Sequence, residues 1–213
     1  MTTEQNQLEQ NHLFSAPIYI INKPEFLLPL LKISKKFLNN KKKETELNCN
    51  YPVYMTDSFI GEPDIQDFSN FVAQCAWSIL DGQGYAMNNF GTYFTEMWCQ
   101  EHHHLSSMER HIHGDGAVIS GFYFLSCPPN SCKVIYHDQR DSKVITSLPE
   151  KNPNEATHAS NSINFVPKEG MLMLANSWLP HSFSKNESNK PMSFIHFNLA
   201  VAPVQEKQNV EII

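Results

Sequence analysis

Beyond Gly84 the chain changes its hydrophobic period, and that change limits the architectures open to it. Before it, apolar residues recur every three or four positions. Residues 24–40 place Phe26, Leu27, Leu30, Leu31, Ile33, Phe37 and Leu38 at helical spacing, with Pro24 suited to a first turn and Lys35 and Lys36 near the end. Residues 64–80 repeat the pattern with Ile65, Phe68, Phe71, Val72, Cys75, Ala76 and Ile79, with acids in the first turn and Gly82 just beyond. After Gly84 come short β-branched and aromatic runs set apart by Gly, Pro, Asn and Asp. Strands are expected at 92–100, 109–112, 118–125, 133–136, 143–145, 162–165, 171–175, 181–183 and 192–201, after a first one at 17–21. The order predicts an α+β plan dominated by an antiparallel sandwich or barrel. No repeat and no long linker divides it, so one domain is expected over 1–213: a loose polar tail at 1–12, a helical part at 13–84, a β core at 85–203 and a second tail at 204–213.

With 213 residues, 41% of them hydrophobic, there is enough apolar material for a real core. A formal net charge of −6 argues against a main role in neutralising phosphates, so no nucleic-acid partner is expected. The five cysteines include no C-x-x-C pair, and the opening MTTEQNQLEQNHLF has no basic segment leading into an apolar one. Reduced thiols and a cytoplasmic setting follow as expectations. No apolar stretch approaches the roughly 20 residues that span a bilayer, so no membrane association is expected. Lys41, Lys42 and Lys43 read as a solvated loop after a helix.

The histidines carry the chemistry. His102, His103, His104, His111 and His113 crowd into one short stretch, and His181 and His196 fall on late strands. On an extended strand the side chains at i and i+2 share a face, so His111 and His113 can converge on one ion, and so can His113 and Asp115. His181, after a strand and a turn, is the third candidate. Two histidines and a carboxylate on one face of an ion form the facial triad of non-haem Fe(II) oxygenases. Three consecutive histidines cannot all face one ion, so 102–104 read as a solvated connection. His196 alternates with Phe194 and Asn198 against Ile195 and Phe197, and either lines a barrel interior or is a hydrogen-bonded strand residue.

Six segments together resemble a known family: Trp98; His111-Ile-His113; Ile119-Ser-Gly-Phe-Tyr-Phe-Leu125; Tyr136-His-Asp-Gln-Arg140; Glu169-Gly-Met-Leu-Met-Leu-Ala-Asn-Ser-Trp-Leu-Pro-His181; and Phe194-Ile-His-Phe-Asn-Leu199. They are similar to 2-oxoglutarate and Fe(II)-dependent oxygenases, in particular a small branch met in bacteria and marine phages. The resemblance spans roughly the C-terminal half. It implies a double-stranded β-helix with the two N-terminal helices packed on it, and a dioxygenase that hydroxylates a substrate while 2-oxoglutarate is decarboxylated to succinate. It implies Fe(II) held by His113 and His181, with His111 (the family's H-x-H) and Asp115 (the widespread H-x-D) competing for the third place.

Such enzymes usually grip the far carboxylate of 2-oxoglutarate with an Arg near the start of the last long strand, because a planar fork makes two bonds. Here that neighbourhood reads Asn189-Lys-Pro-Met-Ser193. Lys190 and Arg140 are the candidate anchors, with Ser193, Asn198 and Tyr123 as further co-substrate contacts. Trp178, Phe194 and His196 are pocket candidates, and Phe122, Phe124 and Phe197 could wall the pocket or belong to the core. The partners are 2-oxoglutarate, O2 and a primary substrate with a lean towards a peptide. The final strand at 192–201 could lie at a sheet edge, and a monomer or homodimer is expected. The rival readings are a cupin-like three-histidine metal enzyme without 2-oxoglutarate, and a non-enzymatic phage structural module.

Overall fold

The computed structural model describes residues 14–146 and 148–204; the tail expected at 1–12 and all but Val204 of the one expected at 204–213 lie outside the described residues. Ten strands and three α-helices follow in the described chain: β1 (Ile18–Asn22), α1 (Leu27–Glu44), β2 (Val53–Met55), α2 (Gln66–Gly82), β3 (Phe90–His102), β4 (Met108–His111), β5 (Ile119–Ser126), β6 (Val134–His137), α3 (Asp141–Ile145), β7 (Ser162–Phe165), β8 (Met171–Asn176), β9 (His181–Phe183) and β10 (Met192–Pro203).

The strands form two antiparallel sheets, one in the order β1-β8-β5-β10-β3-β2 and one in the order β4-β9-β6-β7. The smaller sheet faces the larger, as a double-stranded β-helix requires. Helix α1 buries Leu30, Ile33 and Leu38, and α2 buries Phe68, Val72, Ala76, Ile79 and Leu80. Both stripes pack on the outer face of the larger sheet, against Met97, Cys99, Tyr123, Leu125, Ile195, Phe197 and Leu199. A second apolar cluster, with Phe122, Phe124, Val134, Met173, Phe183 and Phe194, fills the space between the sheets. Residues 192–200 of β10 therefore alternate between two buried environments: Phe194, His196 and Asn198 inward, Ile195, Phe197 and Leu199 towards the helices. Burying a large aliphatic or aromatic side chain contributes roughly 1.5–3 kcal/mol, and the two clusters fix which face of each strand is inside.

Gly121 permits the closest packing. A Cβ there would lie 2.5 Å from Phe197 Cε2 and 2.8 Å from Leu174 Cδ2.

Four expectations are corrected. Lys41, Lys42 and Lys43 form the last turn of α1 and not a loop after it. Residues 143–145 belong to helix α3, because Lys143 is drawn inward: its Nζ donates to Ala159 O, Ser160 O and Asn161 Oδ1 at 2.9–3.0 Å. His102 is the buried last residue of β3 and no part of a solvated connection. β10 is not at an edge; it lies between β5 and β3.

Candidate metal centre

Two short strands and one turn bring three histidines together. β4 ends at His111, β9 begins at His181, and these residues face each other across the antiparallel pair. His113 follows β4 by two residues, and its backbone N–H donates to Ser177 O at 3.0 Å. Asp115 and Gly116 then turn the chain into β5 with φ of +53° and +82°.

One ligand nitrogen from each of His111, His113 and His181 lies within 4.8 Å of the others. Among the described residues no other trio of His, Cys, Asp or Glu meets that geometry, and Asp115 is exposed on its turn, outside the cluster. The nitrogen that would face an ion is set by the bond the other makes. His111 Nδ1–H donates to Glu109 O at 2.8 Å and His181 Nδ1–H to Leu179 O at 3.0 Å, which leaves both Nε2 lone pairs free. His113 Nε2 lies 3.2 Å from His181 Nε2. Two nitrogens about 2.1 Å from one ion lie this far apart when they subtend about 100°. The donor set therefore fits a divalent transition metal.

Burial holds the His113 and His181 rings neutral, the form that binds metal. It pushes His181 down to about 3 and His113 to about 4, with the neighbouring histidines adding to both shifts. Asn198 backs the cluster from β10: its Nδ2 lies 3.2 Å from His113 Nδ1 and donates to Glu96 Oε2 at 2.7 Å.

Beside the trio lies a cavity of about 270 Å³, walled by Trp98, Gln100, Met108, Phe122 and His196 and reached by His111 and His113. The His196 ring stacks on His113 at 4.6 Å and meets the Trp98 indole at 4.6 Å. Trp98 Nε1 is buried with no hydrogen-bond partner in the protein, and the buried His196 nitrogens meet only a weak contact with the Gly121 backbone. Burial drives the His196 ring well below its ordinary pKa.

The other candidates are dispersed. Tyr123 lies on the helix-facing side of β5, with its hydroxyl donating to Lys23 O at 2.7 Å. Phe194 is packed inside the barrel, stacked on Phe183 at 4.7 Å, and Ser193 is half-buried on β10. Lys190 is exposed, and Trp178 is 39% exposed on its turn. Arg140 forks onto Asp138, with Nε to Oδ1 at 2.9 Å and Nη2 to Oδ2 at 2.8 Å. It borders a separate groove of about 630 Å³ over β6 and β7. Sequence reasoning missed β2 and the cavity role of Gln100 and Met108, because both depend on strand pairing and not on local pattern.

Residues 96–198 match a family model described as "Putative 2OG-Fe(II) oxygenase". No curated protein sequence matches the chain. Among solved structures, AviO1 from Streptomyces viridochromogenes Tue57 superposes with a TM-score of 0.61 at 11% identity, covering 87% of this chain and 90% of that one. A Pseudomonas putida prolyl-4-hydroxylase gives 0.57 at 10% identity over 88% and 95%. HygX from Streptomyces hygroscopicus, solved with nickel, 2-oxoglutarate and hygromycin B bound, gives 0.56 at 11% identity over 87% and 83%. At these identities the likeness is one of fold.

Proposed function

The chain belongs, through residues 96–198, to the 2OG-Fe(II) oxygenase family, and from that premise we propose that His111, His113 and His181 are its iron ligands. Membership makes it an oxidoreductase that uses Fe(II) and 2-oxoglutarate. The observation that carries the ligand assignment is the pair of Nε2 atoms 3.2 Å apart, with the Nδ1 of His111 and His181 already spent on backbone carbonyls. When bound, iron and the 2-oxo acid supply oxidation of an unreactive C–H bond by O2.

The protein supplies position and dryness. Glu109 O and Leu179 O fix the tautomers of His111 and His181. Phe122 packs edge-on to His181 at 5.4 Å, and Phe183 and Phe194 close the barrel beneath, which keeps water from the buried side of the cluster. The primary substrate is a peptide segment in this reading. What supports it is the groove over β6 and β7, whose lining includes Thr157, Ser160, Asn161 and Ser162, and the position of β7 at the end of the smaller sheet, where an added strand can pair.

Anaerobic titration with Fe(II) and then 2-oxoglutarate tests the ligand set. A visible metal-to-ligand charge-transfer band that is absent in His181→Ala is the expected result. Iron binding without any band supports a three-histidine iron enzyme that takes no 2-oxo acid, and failure to bind iron removes the assignment.

A further inference from the structure

In the cavity beside the histidine trio, hydrogen-bonding groups are buried and unspent. Trp98 Nε1 has a hydrogen to donate and nothing in the protein to receive it, and the His196 ring, 2% exposed, meets no partner beyond a weak contact with the Gly121 backbone. Buried donors left unmade carry the full cost of desolvation, so they are kept where a ligand completes them. Both side chains line the cavity that His111 and His113 also reach. A single ring, that of His196, separates the Trp98 indole from His113, with centroid distances of 4.6 Å on either side.

The alternatives within the barrel are closed. Below His181 the interior is filled by Phe122, Phe183 and Phe194, with the Phe183 and Phe194 rings parallel at 4.7 Å and Phe122 across Phe194 at 5.6 Å. No Lys or Arg lines the cavity among the described residues. Arg140 is committed to Asp138 and borders the other groove, and Lys190 is exposed to solvent.

We propose that Trp98 and His196 receive the far carboxylate of 2-oxoglutarate, with the indole N–H and the imidazole acting as neutral donors where related enzymes use a cation. The proposal rests on the reading of His111, His113 and His181 as iron ligands. A carboxylate accepting from neutral N–H groups that are shielded from bulk water makes stronger bonds than the same pair exposed.

The test compares two 2-oxo acids on the purified full chain loaded anaerobically with Fe(II): 2-oxoglutarate, and 2-oxobutyrate, which has the same chelating head and no far carboxylate. Affinity is read from the charge-transfer band. The unaltered protein is expected to prefer 2-oxoglutarate at least tenfold. Trp98→Phe, which keeps a ring and removes the donor, is expected to weaken 2-oxoglutarate by about 10–100-fold and to leave 2-oxobutyrate unchanged. His196→Leu is expected to do the same, and it serves if Trp98→Phe does not fold. Arg140→Gln is expected to bind both acids as the unaltered protein does. Equal weakening of both acids in the Trp98 and His196 variants, an unchanged preference in them, or loss of 2-oxoglutarate affinity in Arg140→Gln overturns the proposal. A band with neither acid in the unaltered protein overturns the iron and 2-oxoglutarate reading itself, and the proposal with it.

Discussion

His113 and His181 present their Nε2 atoms to each other at 3.2 Å, from segments 68 positions apart in the chain. Two bare lone pairs at that distance repel, so the pair holds either one proton or one cation between them. Burial sets the acid behaviour. The unfolded chain takes up protons as pH falls through about 6.5, whereas folded His113 resists protonation to about 4 and His181 to about 3. These histidines therefore favour the folded state fully above about 6.5, and that contribution is lost as the pH drops towards 4. Urea unfolding of metal-free protein between pH 7.5 and 4.5 is expected to show a decline on the order of a few kcal/mol. A midpoint that stays constant over the range would disprove it.

Asn198 Oδ1 is buried and unpartnered, while the same side chain offers Nδ2 to His113 Nδ1. A metal-bound imidazole needs the opposite, an acceptor on Nδ1. Turning the amide end for end supplies it, at the expense of the contact with Glu96. Asn198→Leu is expected to lower Fe(II) affinity by about 10–100-fold, and Asn198→Asp to retain it. Chelator competition at neutral pH measures both, and equal losses in the two variants would refute the role.

Gly121→Ala is expected to destabilise the protein by about 1–3 kcal/mol, because the new methyl group meets the Phe197 ring and Leu174 at less than van der Waals distance. Thermal unfolding reads this directly. A melting temperature equal to that of the unaltered protein would show that both neighbours can move aside.

Asp138 holds the segment between β6 and β7 from its base. It accepts from Arg140 and from Lys143, and Lys143 in turn donates to residues 159–161. The Arg140 guanidinium holds the Asp138 carboxyl well below the usual carboxylate range, so its contribution is complete above about pH 4 and fades only as the pH falls further. At pH 7 Asp138→Asn is expected to open residues 139–161 to protease while the barrel survives. Cleavage at the same rate as in the unaltered protein would exclude the role.

The architecture was legible because two periods do not overlap: Leu30, Ile33 and Leu38 mark a helix stripe, and the alternation of Phe194, His196 and Asn198 with Ile195, Phe197 and Leu199 marks a strand buried on both faces. Spacing brought His113 and His181 together but left His111 and Asp115 as rivals for the third place, since both lie two residues from His113. Helix α3 was hidden because Val144 and Ile145 are strand formers by propensity, and the bonds Lys143 makes with residues 159–161 override them. The company of Trp98 and His196 was hidden for another reason. It depends on β10 pairing with β3 in the register that sets those two residues opposite each other, and no local pattern encodes a register between strands so distant.

β9 is three residues long, yet it is the strand that joins β4 to β6 in the smaller sheet. An ion bound to His181 and to the two histidines on and after β4 would be a removable cross-link, closing a long loop of chain across the short β4–β9 pairing. By mass action, each tenfold rise in free iron above the dissociation constant adds about 1.4 kcal/mol to the folded state. If iron is held there as proposed, removing it takes away that contribution and leaves the three residues of β9 to join β4 to β6 by pairing alone.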